Sequence, residues 1–133
     1  MGSDCRKIVI IEDEPDTAEM YAEMMRISGY EVVKYFGGSS AVAQIAEQKP
    51  SAVVLDLMMP DVSGLEVIKY MKAEPSLSNI PVIIVSAKTL PEDIDEGLNA
   101  GASVYLTKPV SFSDLKNAID DAVIKSGEGK ALD

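Results

Sequence analysis

One unit repeats along this chain. Apolar, largely β-branched runs recur at Ile8 to Ile11, Ala52 to Leu55 and Val82 to Val85, with weaker runs at Glu31-Val32-Val33-Lys34-Tyr35 and Val104-Tyr105-Leu106. Between them lie segments whose apolar residues follow helical spacing, so strand and helix alternate. That alternation reads as a parallel α/β sheet. The near-continuous Val/Ile/Leu content of the first, third and fourth runs is what strands covered by helices on both faces require. The second run mixes polar and apolar residues and is expected at an edge.

Local signals mark the helix ends. Pro15 suits a first helical turn and Gly29 a helix end, which puts Met20, Met24 and Ile27 on the expected inner face of the first helix. Ser63-Gly64-Leu65-Glu66 and Thr89-Leu90-Pro91-Glu92 both match the capping-box pattern and are expected to start the third and fourth helices. The last helix is expected from Ser111 or Ser113 to about Lys125, with Leu115, Ala118, Ile119 and Ala122 inward. Residues 1–6 read as a disordered start or an appended scar, 7–125 as one domain, and 126–133 as a tail or the start of a linker.

Charge and composition exclude several classes of function. The chain has 133 residues, 22 acidic and 12 basic, for a formal net charge of −10, and it has no histidine. So acidic a surface repels phosphate backbones and anionic lipid, so no direct nucleic-acid or membrane partner is expected. No apolar run is long enough to cross a bilayer, and a single cysteine, Cys5, suits a reducing cytoplasm. Without imidazole, triad chemistry is excluded, and reactivity must rest on carboxylates, a hydroxyl and lysine. The methionines Met24, Met25, Met58 and Met59 do not suggest a copper site.

In open parallel α/β sheets, ligands bind beyond the carboxyl ends of the strands, where strand order reverses. The first strand here finishes in Glu12-Asp13, the third in Asp56 and the fourth in Ser86, while the fifth leads through Thr107 to Lys108-Pro109. Asp56 ends an apolar run, which is tolerable at the rim of a core where other groups neutralise it. Two carboxylates ~4 Å apart at an effective dielectric of ~20 repel by about 4 kcal/mol, so a positive group must join them. A hard divalent cation that prefers oxygen, Mg²⁺, fits a site with few carboxylates and no histidine or cysteine. Shielded in this way, Asp56 becomes a nucleophile toward a phosphoryl group, with Lys108 and the Ser86 hydroxyl donating to its oxygens.

The set Glu12-Asp13, Asp56 in LDLMMPDVSG, Ser86-Ala87 after PVIIV, and Lys108-Pro109 after VYLT resembles the receiver domain of two-component response regulators, from about Lys7 to about Lys125. The resemblance implies a flavodoxin-like three-layer sandwich: a five-stranded parallel sheet of order 2-1-3-4-5 with five helices. It implies a phosphoacceptor switch in which Asp56 takes phosphate from a phosphohistidine on a histidine kinase or histidine phosphotransfer protein. Such a domain catalyses its own phosphorylation and dephosphorylation rather than turning over a separate substrate. Mg²⁺, with Mn²⁺ able to substitute, would be held by Glu12, Asp13, Asp56 and the backbone carbonyl of Met58. Ser86 and Tyr105 would form the switch, and Met58 and Lys88 would tune phosphoryl lifetime. The Lys108–Pro109 bond would be cis, and the fourth helix, fifth strand and fifth helix would present the face that meets a downstream protein. A cytoplasmic location is implied. No output module is expected within the chain, which is then a stand-alone receiver or a piece of a longer regulator.

Competing readings are weaker. An aspartyl-phosphate phosphatase resembles DxDx[TV], but Met58 replaces its second acid. A flavin carrier of the same architecture needs a hydroxyl- and glycine-rich phosphate loop, where this chain has Glu12-Asp13-Glu14-Pro15. A receiver-like adaptor that acts by protein binding without phosphorylation is the remaining alternative.

Overall fold

The computed structural model describes residues 6–125, in which five strands and five helices alternate. In chain order these are β1 (Lys7–Ile11), α1 (Pro15–Ile27), β2 (Glu31–Tyr35), α2 (Gly38–Gln48), β3 (Ala52–Leu55), α3 (Gly64–Ala73), β4 (Val82–Ser86), α4 (Pro91–Ala100), β5 (Val104–Thr107) and α5 (Phe112–Val123). The expectations for the start of the chain, Cys5 included, and for the tail 126–133 lie outside the described residues.

The strands form one sheet in the order β2-β1-β3-β4-β5, with every neighbouring pair parallel. Side chains alternate between its faces, as the two-residue period of a strand requires. Val9, Ile11, Val53, Leu55 and Ile84 pack with Ile45, Val67, Ile68 and Met71 on the side of α2 and α3. Ile8, Ile10, Val54, Ile83 and Val85 pack with Met25, Leu115 and Ile119 on the side of α1 and α5. Each fully buried side chain of this kind contributes about 1.5–3 kcal/mol from desolvation, so both layers are needed to order the chain. As the residue pattern requires, β1, β3 and β4 are buried almost throughout, whereas β2 and β5 are half-covered edges.

Two helix details depart from expectation. The buried face of α1 is Ala18, Tyr21, Ala22 and Met25, while Met20 and Ile27 are 47% and 71% exposed. The stripe at i, i+3, i+4 and i+7 puts two alanines against the sheet, where their small size permits close approach, and turns the bulkier Met20 and Ile27 outward. Met24 lies between, partly buried against the same layer. The fourth helix has no hydroxyl cap: Pro91 takes its first position and Leu90 is the N-cap, which leaves Thr89 one residue too early to reach the free amides. Ser63, by contrast, caps α3 by accepting from Leu65 N–H, and Ser111 caps α5 by accepting from Asp114 N–H at 3.0 Å. In α5, Leu115, Ile119, Ala122 and Val123 are buried and Ala118 is half-buried. Gly29 follows α1 with a φ of 100°, a conformation costly for any residue with a side chain.

Candidate functional site

The chain leaves β1 toward β2 on one side and returns through β3 on the other, so strand order reverses between β1 and β3. Ile11, the last residue of β1, pairs with both Tyr35 and Leu55. The residues that follow are therefore neighbours across the switch point. Backbone bonds continue the ladder one step past the strands. Glu12 N–H donates to the Tyr35 carbonyl and Asp56 N–H to the Ile11 carbonyl, each at 3.0 Å, while Lys108 N–H donates to the Ser86 carbonyl at 2.8 Å. Glu12, Asp56, Ser86 and Lys108 are held by main-chain bonds before any side-chain contact is counted.

Their side chains converge. Lys108 Nζ donates to Glu12 Oε1 at 3.2 Å and to Asp56 Oδ2 at 3.3 Å, bridging two acids that are 2% and 6% exposed. The second oxygen of Glu12 accepts from Glu14 N–H, and Asp56 Oδ1 accepts from Met58 N–H at 3.1 Å. One carboxylate oxygen from each of Glu12, Asp13 and Asp56 can be chosen so that all three lie within 4.8 Å of one another. This donor set is all oxygen, which is the chemistry of a hard divalent cation and unsuited to soft metals. Ser86 is fully buried and accepts from Lys88 N–H at 3.1 Å, so its own O–H remains to be donated. The Tyr105 hydroxyl donates to the Lys88 carbonyl at 2.9 Å. The Lys108–Pro109 peptide bond is cis.

The electrostatics follow from this crowding. Burial, and after it the negative charge of Asp56, raise the pKa of Glu12 above its ordinary value, and the Lys108 ammonium offsets this only in part. Burial pulls the Lys108 pKa down, but the attraction of Asp56 and Glu12 outweighs it and the net shift is upward. The ammonium is held charged, and this one lysine faces two buried acids at once.

A chain in which these elements occur in this order and at these strand ends matches the family model of the response regulator receiver domain over residues 8–120. It is a response regulator receiver domain. Among its relatives is a probable transcriptional regulatory protein, TcrX of Mycobacterium tuberculosis, 39% identical over 81% of this chain and 45% of that protein. The receiver spans about half the length of such curated relatives. Among solved structures, the receiver domain of Francisella response regulator 1452 has a TM-score of 0.85 at 28% identity, covering 90% of this chain and 98% of that one. The receiver domain of sensor histidine kinase PA1611 from Pseudomonas aeruginosa, solved with a magnesium ion coordinated in its active-site cleft, has a TM-score of 0.83 at 26% identity over 90% and 98%. Among the described residues of this receiver, no helix is long and apolar enough to cross a membrane.

One residue beside the receiver site escaped the sequence reading. Asp61 accepts from Val62 N–H at 2.7 Å, Ser39 N–H at 3.0 Å and Gly38 N–H at 3.2 Å, so it ties the loop after Asp56 to the first turn of α2. These backbone donors, Ser39 first, lower its pKa to about 2. Sequence shows an acid after Pro60, but not that α2 starts against it, because the two segments meet only when β1 and β3 pair.

Proposed function

We propose that this receiver accepts a phosphoryl group on Asp56 from a phosphohistidine of a histidine kinase or phosphotransfer protein, in a Mg²⁺-dependent reaction, and passes the change to a downstream protein. The observation that carries the reading is the bridging of Asp56 and Glu12 by Lys108 at the switch point of the sheet, with Asp13 alongside. In the reaction a carboxylate oxygen of Asp56 forms a bond to phosphorus while the bond from phosphorus to the donor imidazole breaks, and that imidazole takes up a proton. Asp13, Asp56 and the Met58 carbonyl would hold Mg²⁺, with Glu12 acting directly or through water. When bound, the ion neutralises phosphoryl oxygens and lowers the repulsion that a carboxylate presents to them. Mn²⁺, which shares the preference for octahedral oxygen ligands, would substitute.

The residues of the chain do the rest. Lys108 turns its ammonium to a phosphoryl oxygen, and Ser86 donates its free O–H to another. Drawing Ser86 toward the phosphoryl group pulls on Lys88 N–H and, through the Lys88 carbonyl, on Tyr105. That path reaches β5 and the faces of α4 and α5, where a protein partner would read the change. Met58 and Lys88 flank the reacting carboxyl and hydroxyl and would set how readily water reaches the acyl phosphate. The net charge of −10 supports protein rather than nucleic acid as the direct partner of this domain.

The test is incubation with Mg²⁺ and acetyl phosphate beside Asp56→Asn, followed by intact mass. A phosphate adduct on the unmodified chain alone, absent with a chelator, is the expected result. No adduct, with beryllofluoride also failing to perturb the site, would overturn the reading in favour of an adaptor that works without phosphate.

A further inference from the structure

Between α3 and α4, two open clefts of about 450 and 500 Å³ adjoin at Leu65 and Glu96, which line both, and together make a shallow channel along the two helices. Its inner end is apolar, built by Leu57, Met58 and Met59 of the loop that follows Asp56. Its α4 wall is acidic: Glu92, Asp93, Asp95 and Glu96 stand among ten helix residues that include no base. Among the described residues none of these four acids takes part in an ion pair, although Lys88 and Lys69 line the same channel. An apolar floor beside unpaired carboxylates complements a segment that presents an apolar side chain next to cations.

The channel is also wired to the phosphorylation site. Met58, 54% exposed at its inner end, donates its N–H to Asp56 Oδ1, and Lys88 on its rim donates its N–H to Ser86 Oγ, each at 3.1 Å. Any modification of the Asp56 carboxyl changes the acceptor that holds Met58, and any movement of Ser86 changes the one that holds Lys88. A ligand seated between them meets a different channel in the two states, and linkage makes the effect reciprocal.

We propose that this channel docks a short segment of a partner protein, apolar at its anchor and flanked by lysine or arginine, and that docking is coupled to the state of Asp56 through Met58 and Lys88. The coupling, though not the docking, rests on the function proposed above.

The test titrates the ¹⁵N-labelled chain with a short amphipathic leucine–lysine peptide and with its leucine–glutamate counterpart. Amide shifts from the lysine peptide should concentrate at Leu65, Lys88 and Glu96, with none from the glutamate peptide. The double variant Glu92→Lys/Glu96→Lys should weaken binding about tenfold or more, whereas Glu31→Lys/Glu47→Lys, which changes net charge equally elsewhere, should leave it within about twofold. Beryllofluoride should change the affinity about fivefold or more in either direction. Shifts scattered over the surface, or equal losses in both double variants, would mean unspecific charge attraction and overturn the docking. Self-association abolished by Glu92→Lys/Glu96→Lys would assign the channel to a second copy instead. Equal affinity with and without beryllofluoride, while acetyl phosphate still modifies Asp56, would overturn the coupling alone. Failure of both phosphate analogue and phosphodonor would overturn the coupling together with the proposed phosphorylation, and docking would be judged on the unmodified chain.

Discussion

Lys108 places its Nζ 3.2 Å from Glu12 Oε1, 96 residues away in the chain, and this ammonium is the positive charge directly paired with Glu12. Burial and Asp56 raise the Glu12 pKa, so the folded state binds this proton more tightly than the unfolded chain does. The contribution is fully present below the ordinary value of 4.5 and is lost as pH rises through the elevated value in the folded state. In chelator, stability should therefore fall over that window, and Glu12→Gln should abolish this component of the slope. Denaturant titrations across pH check it, and Mg²⁺ should restore stability at neutral pH in the unmodified chain more than in the variant.

Removing the same lysine tests its chemical role. Lys108→Ala should form the Asp56 adduct from acetyl phosphate about 10²–10³-fold more slowly, the usual loss when one preorganised donor to developing charge is deleted. Stopped-flow or quenched mass measurements at saturating Mg²⁺ read the rate. A rate equal to that of the unmodified chain would remove Lys108 from the reaction.

Gly64, the first residue of α3, lies where a Cβ would come 2.6 Å from the Asp56 carbonyl oxygen and 2.7 Å from Leu57 Cα. Both atoms are backbone and cannot swing aside. Gly64→Ala should cost about 1–3 kcal/mol by overpacking and shift the loop that carries Met58. Urea unfolding gives the cost, and loss of Mg²⁺ affinity beyond that of an equally destabilised core variant gives the effect on the loop.

The Tyr105 hydroxyl donates to the Lys88 carbonyl at 2.9 Å. Tyr105→Phe keeps the ring and should cost less than about 1 kcal/mol, since the bond is exposed. Amide hydrogen exchange around Lys88 should nonetheless accelerate in the unphosphorylated protein, and the difference between phosphorylated and unphosphorylated forms should shrink.

Asp61 gives the opposite pH signature to Glu12. Its pKa is lowered from 3.8 to about 2, so its contribution is present above 3.8 and is lost as pH falls through about 2. Asp61→Asn should unfold at lower temperature than the unmodified chain at pH 6, and the gap should narrow below pH 3.8 and close only below about pH 2. Thermal melts across that range check it.

Much of this architecture was legible in the residues because local chemistry settled it. Apolar β-branched runs can persist only as strands covered on both sides, and their spacing required crossover helices, so the parallel sheet followed. The strand order 2-1-3-4-5 came instead from the resemblance of Glu12-Asp13, Asp56, Ser86 and Lys108 to a known family, because no spacing states which edge a strand joins. What local pattern could not settle was rotation and contact. Hydrophobicity alone places Met20 and Ile27 inward on α1, whereas the packed helix turns both outward and sets Ala18 and Ala22 against the sheet, where small side chains permit close approach. Thr89 looked like a cap until Pro91 set the helix start one residue later. The tie from Asp61 to α2, the bridge from Lys108 to Glu12 and the acidic channel between α3 and α4 all join segments distant in sequence. Such contacts depend on distances across a packed sheet, and a distance between strands exists only once the strands have paired.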